Sequence, residues 1–163
     1  RCRGNVAGAR PRRKGAQMSE GPEIRSRVVR ERDAMLAGLS PELRPEPYVF
    51  CTTAAASPVG EKIARALALF REDEGLTLVL KVDDAVEYGF DASLPMARIV
   101  LNVFSALNGV GLTAAVAAEL ASHSIPCNVI AGFHHDHLFV PVHQGQRALE
   151  ILHDVQQRAA SGV

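Results

Sequence analysis

The chain has 163 residues, of which 47% are hydrophobic, and its 18 basic and 18 acidic side chains cancel in charge. This length and composition suit one compact unit, or two small units that share a core. The cancellation is uneven, because six basic residues and no acid lie within residues 1–17. The rest of the chain therefore has 12 basic and 18 acidic residues, which argues against a nucleic-acid surface.

Residues 1–29 are predicted to be a disordered basic head. The head includes Met18 and has no helical period, so we interpret it as upstream sequence read through before the natural start, with a functional basic tail as the alternative. It lacks the apolar core of a secretory signal, and no run in the chain approaches the ~20 apolar residues of a membrane span. We therefore expect a cytoplasmic protein with neither a membrane nor a nucleic-acid partner.

The first half of the folded chain, taken as residues 30–95, alternates helical and strand patterns. Ser57 and Pro58 are typical of a helix start, and Ile63, Leu67 and Phe70 are predicted to form the buried stripe of the helix that follows. The other predicted elements are a short helix over 30–39, strands over 48–53 and 76–81, and a short acidic helix over 83–88.

The second half, taken as residues 96–160, opens with a strand. Ile99, Leu101 and Val103 alternate, which places them on one face, and Arg98 and Val100 fall on the other face. The following elements are a helix with the stripe Leu112, Val116 and Leu120, strands over 127–131 and 138–140, and a second helix over 148–155.

This order of elements is most of one ferredoxin-like βαββαβ unit, and a looser strand, helix, strand order repeats it in the first half. No linker rich in Gly, Ser or Pro separates the halves. The sequence therefore predicts an α+β protein in which two halves share one antiparallel sheet with helices on one face.

The residues at the joints resemble those of the ACT domain, a small regulatory fold that usually binds an amino acid. ACT sequences have a glycine just inside the first helix, after a polar loop, and a second strand entered through a motif like Gly-Ile-Asn-Ile. The matching segments here are SALNGVGL at 105–112 and SIPCNVI at 124–130, with Val110 where a proline is often found. The resemblance is to ACT domains of the aspartate kinase type.

A narrower resemblance is to a family of short bacterial proteins with two ACT-like halves. It covers about residues 33–155 and implies a non-catalytic regulatory protein with a small amino-acid effector. Edge strands of such a sheet have unpaired backbone groups, so we expect a homodimer that covers them and acts through its own assembly or through a protein partner. The runs that carry the narrower resemblance are YVFCT at 48–52, EGLTLV at 74–79, VGLTAA at 110–115 and NVIAGFHHDHLFVP at 128–141.

The turn at 105–113 is the candidate ligand site, because a helix begins there and leaves backbone N–H groups and a positive dipole end for a carboxylate. Gly109 and Gly111 would let a ligand approach the backbone. Asn128, on a strand expected to be adjacent, would accept from an ammonium group. The alternative is that these residues only make a turn and a cap. The positions that the resemblance implies as ligand contacts are Ser105, Asn108, Gly109, Val110, Gly111, Leu112, Thr113, Asn128, Val129 and Ile130.

A second hypothesis is a metal-binding protein or metal-dependent enzyme that uses His134, His135, Asp136 and His137. Imidazole and carboxylate are ligands for zinc, iron or nickel, and Asp136 would lie opposite the two later histidines on an extended strand. A plain polar turn is the simpler interpretation. A third hypothesis is a structural interaction module.

Catalysis has little support in the sequence. We find no Gly-x-Ser-x-Gly elbow, phosphate-binding loop or dinucleotide fingerprint, and we predict no cofactor. Cys2, Cys51 and Cys127 are odd in number and widely spaced, which indicates neither a disulfide framework nor a zinc site. Cys51 and Cys127 lie in strand patterns and are expected to pack as small hydrophobic residues.

Overall fold

A computed structural model of the protein describes residues 31–54, 60–103 and 109–162. The helices of this part are α1 (Arg32–Ala37), α2 (Gly60–Arg65), α3 (Val82–Glu87), α4 (Leu112–Ser122) and α5 (Gly145–Ser161). Its strands are β1 (Pro41–Leu43), β2 (Tyr48–Thr53), β3 (Ala68–Arg71), β4 (Leu76–Lys81), β5 (Met96–Leu101), β6 (Asn128–Ala131) and β7 (Asp136–Pro141).

The strands form a single antiparallel sheet in the order β3-β4-β2-β5-β7-β6. Two short pairings share one side of β5. β2 meets it only where Tyr48 lies opposite Met96, and β1 lies against residues Ile99 to Leu101. The prediction of an α+β fold whose halves share an antiparallel sheet is confirmed.

The helices cover one face of this sheet, which we call the helix face. Paired residues share a face, so the register separates two sets of side chains. On the helix face, Cys51 and Leu78 pack with Ala85 of α3, and Ile99 and Leu138 pack with α4 and α5. The opposite face, which we call the open face, carries Tyr48, Phe50, Met96, Arg98, Val100, Asn128, Ile130, His137 and Phe139.

The second half is completed by β1, which precedes the other strands of the first half in the sequence. β1, β5, β7 and β6 lie side by side, which is the strand order of a ferredoxin-like unit. Met35 and Leu39, from α1 and the residues after it, lie in the same buried core as Leu138 and Leu152. The expected division at residue 95 assigns α1 and β1 to the first half by sequence, whereas in space they pack with the second.

The periodicities of the second half hold in the structure. Ile99 and Leu101 are buried on the helix face, and Val103 is buried just beyond the end of β5. The stripe Leu112, Val116 and Leu120 is the buried side of α4. Burial of this stripe against the sheet explains why the spacing of four residues was informative.

The predicted stripe of Ile63, Leu67 and Phe70 is wrong. α2 ends at Arg65, and the three side chains are 38%, 38% and 44% exposed. Phe70 lies instead in β3, an edge strand that the sequence did not predict, and a Glu72–Gly75 turn joins β3 to β4. An edge strand buries little, so its apolar residues need not alternate, and here they imitated a helical spacing. Ser57 and Pro58 lie outside the described residues.

In the part of the chain that the structure describes, no helix is both long enough and apolar enough to span a membrane.

Candidate functional site

The predicted turn contains a glycine whose backbone conformation favours glycine over other residues. Gly111 precedes the first residue of α4 with φ of +103°, in the left-handed region that favours glycine. A Cβ added there would lie 3.0 Å from the side chain of Arg32. Leu112 is buried in the core, whereas Val110 is 80% exposed. The turn therefore combines a fixed backbone with an open surface.

The rest of the turn offers backbone groups rather than side chains. Thr113 is exposed in the first turn of α4, and no side chain of the described residues forms a capping hydrogen bond at this end of the helix. The N–H groups of the first turn have no intrahelical acceptor, and the positive end of the dipole of this 11-residue helix lies with them. Ser105 and Asn108, two predicted contacts, lie outside the described residues.

The predicted residues of β6 lie away from this turn within one chain. The sequence suggested that β6 is adjacent to β5. In the structure β7 lies between them. The turn follows Leu101, which is level with Ala131 across β7, and Asn128 lies at the far end of β6. Asn128 and Ile130 share the open face, and Val129 packs against the core on the helix face.

A cavity of about 490 Å³ includes Asn128 and was not predicted. It lies where β2 runs past the start of β5, beside the segment that leads into β5, and Met96 and Asn128 of the second half also line it, so both halves contribute to its walls. Sequence spacing could not identify it, because its residues come from three distant segments. The lining residues are Val49, Phe50, Cys51, Thr52, Phe90, Asp91, Ser93, Leu94, Met96 and Asn128.

Asp91 supplies the carboxylate of this cavity. The backbone N–H and the hydroxyl of Ser93 donate to it at 2.9 and 3.0 Å. These hydrogen bonds lower the pKa of Asp91 below its ordinary value, so the group is ionised at neutral pH. The Asp-x-Ser spacing was a signal for this local turn. An ionised carboxylate and the exposed amide of Asn128, with the hydroxyls of Thr52 and Ser93, are thus the polar side-chain groups of a mainly apolar cavity.

The histidine cluster is divided by the strand that contains it. Asp136 is buried opposite Leu101, on the helix face, and His137 lies on the open face. His135 accepts through its backbone oxygen from the N–H of Gly132 at 3.0 Å, within the turn before β7. Burial raises the pKa of Asp136 above its ordinary value.

His134 is exposed, with its ring 5.0 Å from the ring of Phe133. Within residues 31–54, 60–103 and 109–162, no three His, Cys, Asp or Glu side chains are grouped so that they could hold a metal ion. The arrangement of the cluster therefore gives the metal hypothesis no support.

The two described cysteines are buried or half-buried beside apolar side chains. Burial raises the pKa of both thiols, that of Cys127 to about 11. A thiol that stays protonated at neutral pH is a poor nucleophile. Both side chains are therefore suited to packing.

Comparison with known proteins agrees with this architecture. Two ACT domain family models match the sequence, one over residues 29–97 and the other over residues 93–154. A comparison with curated proteins found no match. The solved structures that it resembles include a Vibrio cholerae protein of unknown function, described as a possible transport protein. The two chains are 43% identical over 77% of this chain and 95% of the other, with a TM-score of 0.68.

Two more distant structures share the fold alone. Clostridium acetobutylicum aspartate kinase is 13% identical with a TM-score of 0.53, over 74% of this chain and 34% of the other. A structure of aspartokinase alpha and beta subunits is 12% identical with a TM-score of 0.51, over 74% of this chain and 97% of the other. The two family matches together span residues 29–154, and the chain belongs to the ACT domain family, with two ACT halves.

Proposed function

We propose that this protein is a non-catalytic regulatory protein that binds a small amino acid. The observation that carries the proposal is the cavity at the meeting of the two ACT halves, which contains Asn128, a residue predicted as a ligand contact from sequence. ACT domains are small regulatory modules that usually bind an amino acid.

The cavity has the chemistry that one end of an amino acid requires. The ionised carboxylate of Asp91 would accept from an α-ammonium group, and the amide oxygen of Asn128 would accept a second hydrogen bond. Phe50, Leu94 and Met96 give the cavity apolar walls. These walls favour a ligand with an apolar side chain.

The carboxylate end of the ligand would be bound at the helix start of a second copy. β6 is an edge strand with unpaired backbone groups, and pairing with another copy would cover them. In-register antiparallel pairing would set Asn128 of one copy level with Ala131 of the other. Ala131 is level with Leu101, the last residue of the strand that precedes the turn, so this pairing would bring Asn128 closer to that end of the second copy than it is to the same end of its own chain.

Regulation would follow from linkage between ligand binding and assembly. A ligand that contacts both copies binds the dimer more tightly than the single chain, and it shifts the population toward the dimer by that difference in affinity. The output would then pass to a protein that recognises the assembled state. We place this function in the cytoplasm.

The proposal is tested by thermal unfolding in the presence of each proteinogenic amino acid. A millimolar ligand over a micromolar site adds about 4 kcal/mol to the free energy of unfolding, because it binds only the folded state. We expect one or two amino acids to raise the midpoint. Asn128→Ala should abolish the increase, whereas Gln157→Ala, an exposed change on α5, should leave it intact.

Gly111→Ala tests the contribution of the turn. The backbone at φ +103° and the Arg32 side chain at 3.0 Å both oppose a Cβ, so the helix start must shift. Gly89→Ala is the matched control, since its φ is +74° and a Cβ would meet nothing within 4 Å. We expect both to lower stability by about 1 kcal/mol, and only Gly111→Ala to weaken ligand binding.

Two outcomes would count against the proposal. One is the absence of any midpoint shift with all the amino acids, and the other is a shift that Asn128→Ala leaves unchanged. Light scattering with and without the ligand tests the dimer separately, because a ligand that binds without changing the molecular mass removes the proposed link to assembly.

A further inference from the structure

The open face carries a basic cluster, defined by Arg44, Arg98 and His137, that the proposed function does not use. The backbone N–H of Arg44 donates to the carbonyl oxygen of Arg98 at 2.8 Å, which continues the β1–β5 register and places the two side chains opposite each other. His137 lies opposite Val100, one diagonal step from Arg98. Three strands thus direct basic side chains to one place, around the buried Val100.

Opposed arginines are unfavourable unless their charges are compensated. Arg44 is compensated in part, because its Nη1 lies 2.7 Å from Glu42. Among the described residues, Arg98 forms no salt bridge. Glu46 lies close enough to Arg98 to sense its charge, but it pairs with Lys81 at 3.2 Å. The cluster therefore holds more positive charge than its own neighbours neutralise.

Several nitrogen atoms of the cluster also lack hydrogen-bond partners among the described residues. The Nε atoms of Arg44 and Arg98 and the Nδ1 atom of His137 are buried, and no described group bonds to them. Arg98 has only a long contact of 3.5 Å from Nη1 to the Tyr48 hydroxyl, with its guanidinium 5.2 Å from the Tyr48 ring centroid. Buried polar groups without hydrogen bonds reduce the stability of a fold.

Both arginines are nevertheless only half-buried, so their side chains remain accessible from solvent. Guanidinium groups bind carboxylates and phosphates through paired, charge-assisted hydrogen bonds. Burial, followed by the charge of Arg98, lowers the pKa of His137, so in the absence of an anion its imidazole is neutral at neutral pH. A nearby anion would compensate the excess positive charge and accept hydrogen bonds from the nitrogen atoms that lack a partner among the described residues.

We propose that Arg44, Arg98 and His137 form an oxyanion site on the open face, with Val100 as its floor, for a carboxylate or phosphate group. Glu42, which is bound to Arg44 and accepts from Asn102 at 3.2 Å, limits the site on the β1 side. The buried ring of Phe139 separates Arg98 from Asn128 along their shared row. The site is therefore distinct from the amino-acid cavity, and the inference does not rest on the proposed function.

The test is calorimetric titration of the whole chain with inorganic phosphate and, separately, with succinate, at ionic strength held constant with chloride. The two titrations distinguish a phosphate ligand from a carboxylate ligand. We expect one anion to bind, and Arg98→Met to weaken it by roughly 10- to 100-fold, because hydrogen bonds to charged groups are lost. Arg147→Met removes the same charge from the exposed surface of α5 and should leave the affinity unchanged.

Measurements of stability distinguish a loss of anion binding from a loss of folding. Without added anion, Arg98→Met should unfold at a midpoint equal to or above that of the wild type, because an uncompensated charge is removed. Arg44→Met provides a second, independent variant with the same expected loss. The inference is overturned if neither anion binds, or if Arg98→Met and Arg147→Met change the affinity equally.

The amino-acid cavity provides a further discrimination. Asn128→Ala should keep the anion affinity, and Arg98→Met should keep the midpoint shift with amino acids. Loss of both responses in Arg98→Met would overturn the inference of a separate site, because one ligand would then span both places. Failure of the amino-acid proposal alone would leave the anion response intact.

Discussion

The two ACT halves differ in how completely each buries its own sheet. In the second half, α4 and α5 have 11 and 17 residues and pack on a four-strand unit that includes β1. In the first half, α2 and α3 have 6 residues each, and β3 leaves Phe70 exposed at the edge. The second half is the more complete unit, and the first half depends on it.

The dependence is visible at the junction of the halves. β2 joins the second half through one pair, Tyr48 opposite Met96, and its remaining length runs past the start of β5 beside the cavity. Aromatic contacts support this junction, because the ring of Phe139 lies 5.2 Å from that of Phe50 and 6.1 Å from that of Tyr48. A weak junction beside a firm scaffold allows a ligand to change how the halves fit together.

The largest expected effect comes from one substitution made in each half. Leu138 and Leu78 are both fully buried on the helix face. We expect Leu138→Ala to lower the free energy of unfolding by about 4 kcal/mol and Leu78→Ala by about 3 kcal/mol, because the larger core collapses less easily around a cavity. Urea unfolding measures both changes in the free energy of unfolding. An equal or reversed order would contradict the conclusion that the second half is the more complete unit.

A smaller effect is expected at Asp136 and His137, neighbours on opposite faces of β7. Burial raises the pKa of Asp136 above its ordinary 3.8, so its contribution to stability is full below that value and is lost as pH rises through the raised pKa. Burial lowers the pKa of His137 below 6.5, so its contribution is full above 6.5 and is lost as pH falls through the lowered pKa.

Each substitution should therefore stabilise the protein on one side of the pH range. Asp136→Asn should raise the midpoint of thermal unfolding near neutral pH and match the wild type in acid. His137→Gln should raise the midpoint in acid and match the wild type above pH 6.5. Parallel pH profiles for both variants would show that burial does not set these pKa values.

The smallest expected effect is local and lies in the first half. Arg65, at the end of α2, donates to Asp84 and Glu87 of α3 at 2.9 and 2.8 Å, and these hydrogen bonds are the main cause of its raised pKa. Arg65→Met should accelerate amide hydrogen exchange in α2 while leaving α5 unchanged, because no other long-range ion pair was found for α2 among the described residues.

Arg71→Met is the matched control, since Arg71 is exposed on β3 of the same half and no salt bridge was found for it in the described ranges. Equal exchange in the two variants would show that the ion pairs do not attach α2 to the fold. Such a result would leave the cation–π contacts of Lys62 with Tyr88 and Phe90 as the attachment.

Sequence periodicity succeeded where burial is one-sided and strong. The alternation at Ile99 and Leu101 and the stripe of α4 were predicted because one face of each element meets a large core. It failed for β1 and β3, which are three and four residues long. So few residues give no readable period, and their strand geometry comes from pairing with β5 and β4.

The candidate sites divide in the same way. Gly111 was identified from the sequence as a small residue at a helix start, and the structure shows its backbone in the left-handed region, whereas its role as a ligand contact stays a prediction. Asp91 of the cavity and Arg44 of the basic cluster could not be identified in this way, because each is meaningful only beside residues from other strands. The histidine run suggested a metal site because its residue types are metal ligands. Strand alternation already placed Asp136 opposite His137, but only the structure shows that, among the described residues, no other His, Cys, Asp or Glu completes a site on either face.

The sequence by itself determined the α+β class, the shared sheet and the ACT resemblance, since these follow from local periodicity and from motifs at element joints. Tertiary structure decided which strands meet. The order of the strands in turn decided that the rest of the first half is inserted between β1 and β5, and it created the cavity and the basic cluster. The physical reason is that helix and strand preferences act over a few residues, whereas sheet order is set by burial and backbone hydrogen bonds between segments far apart in the chain.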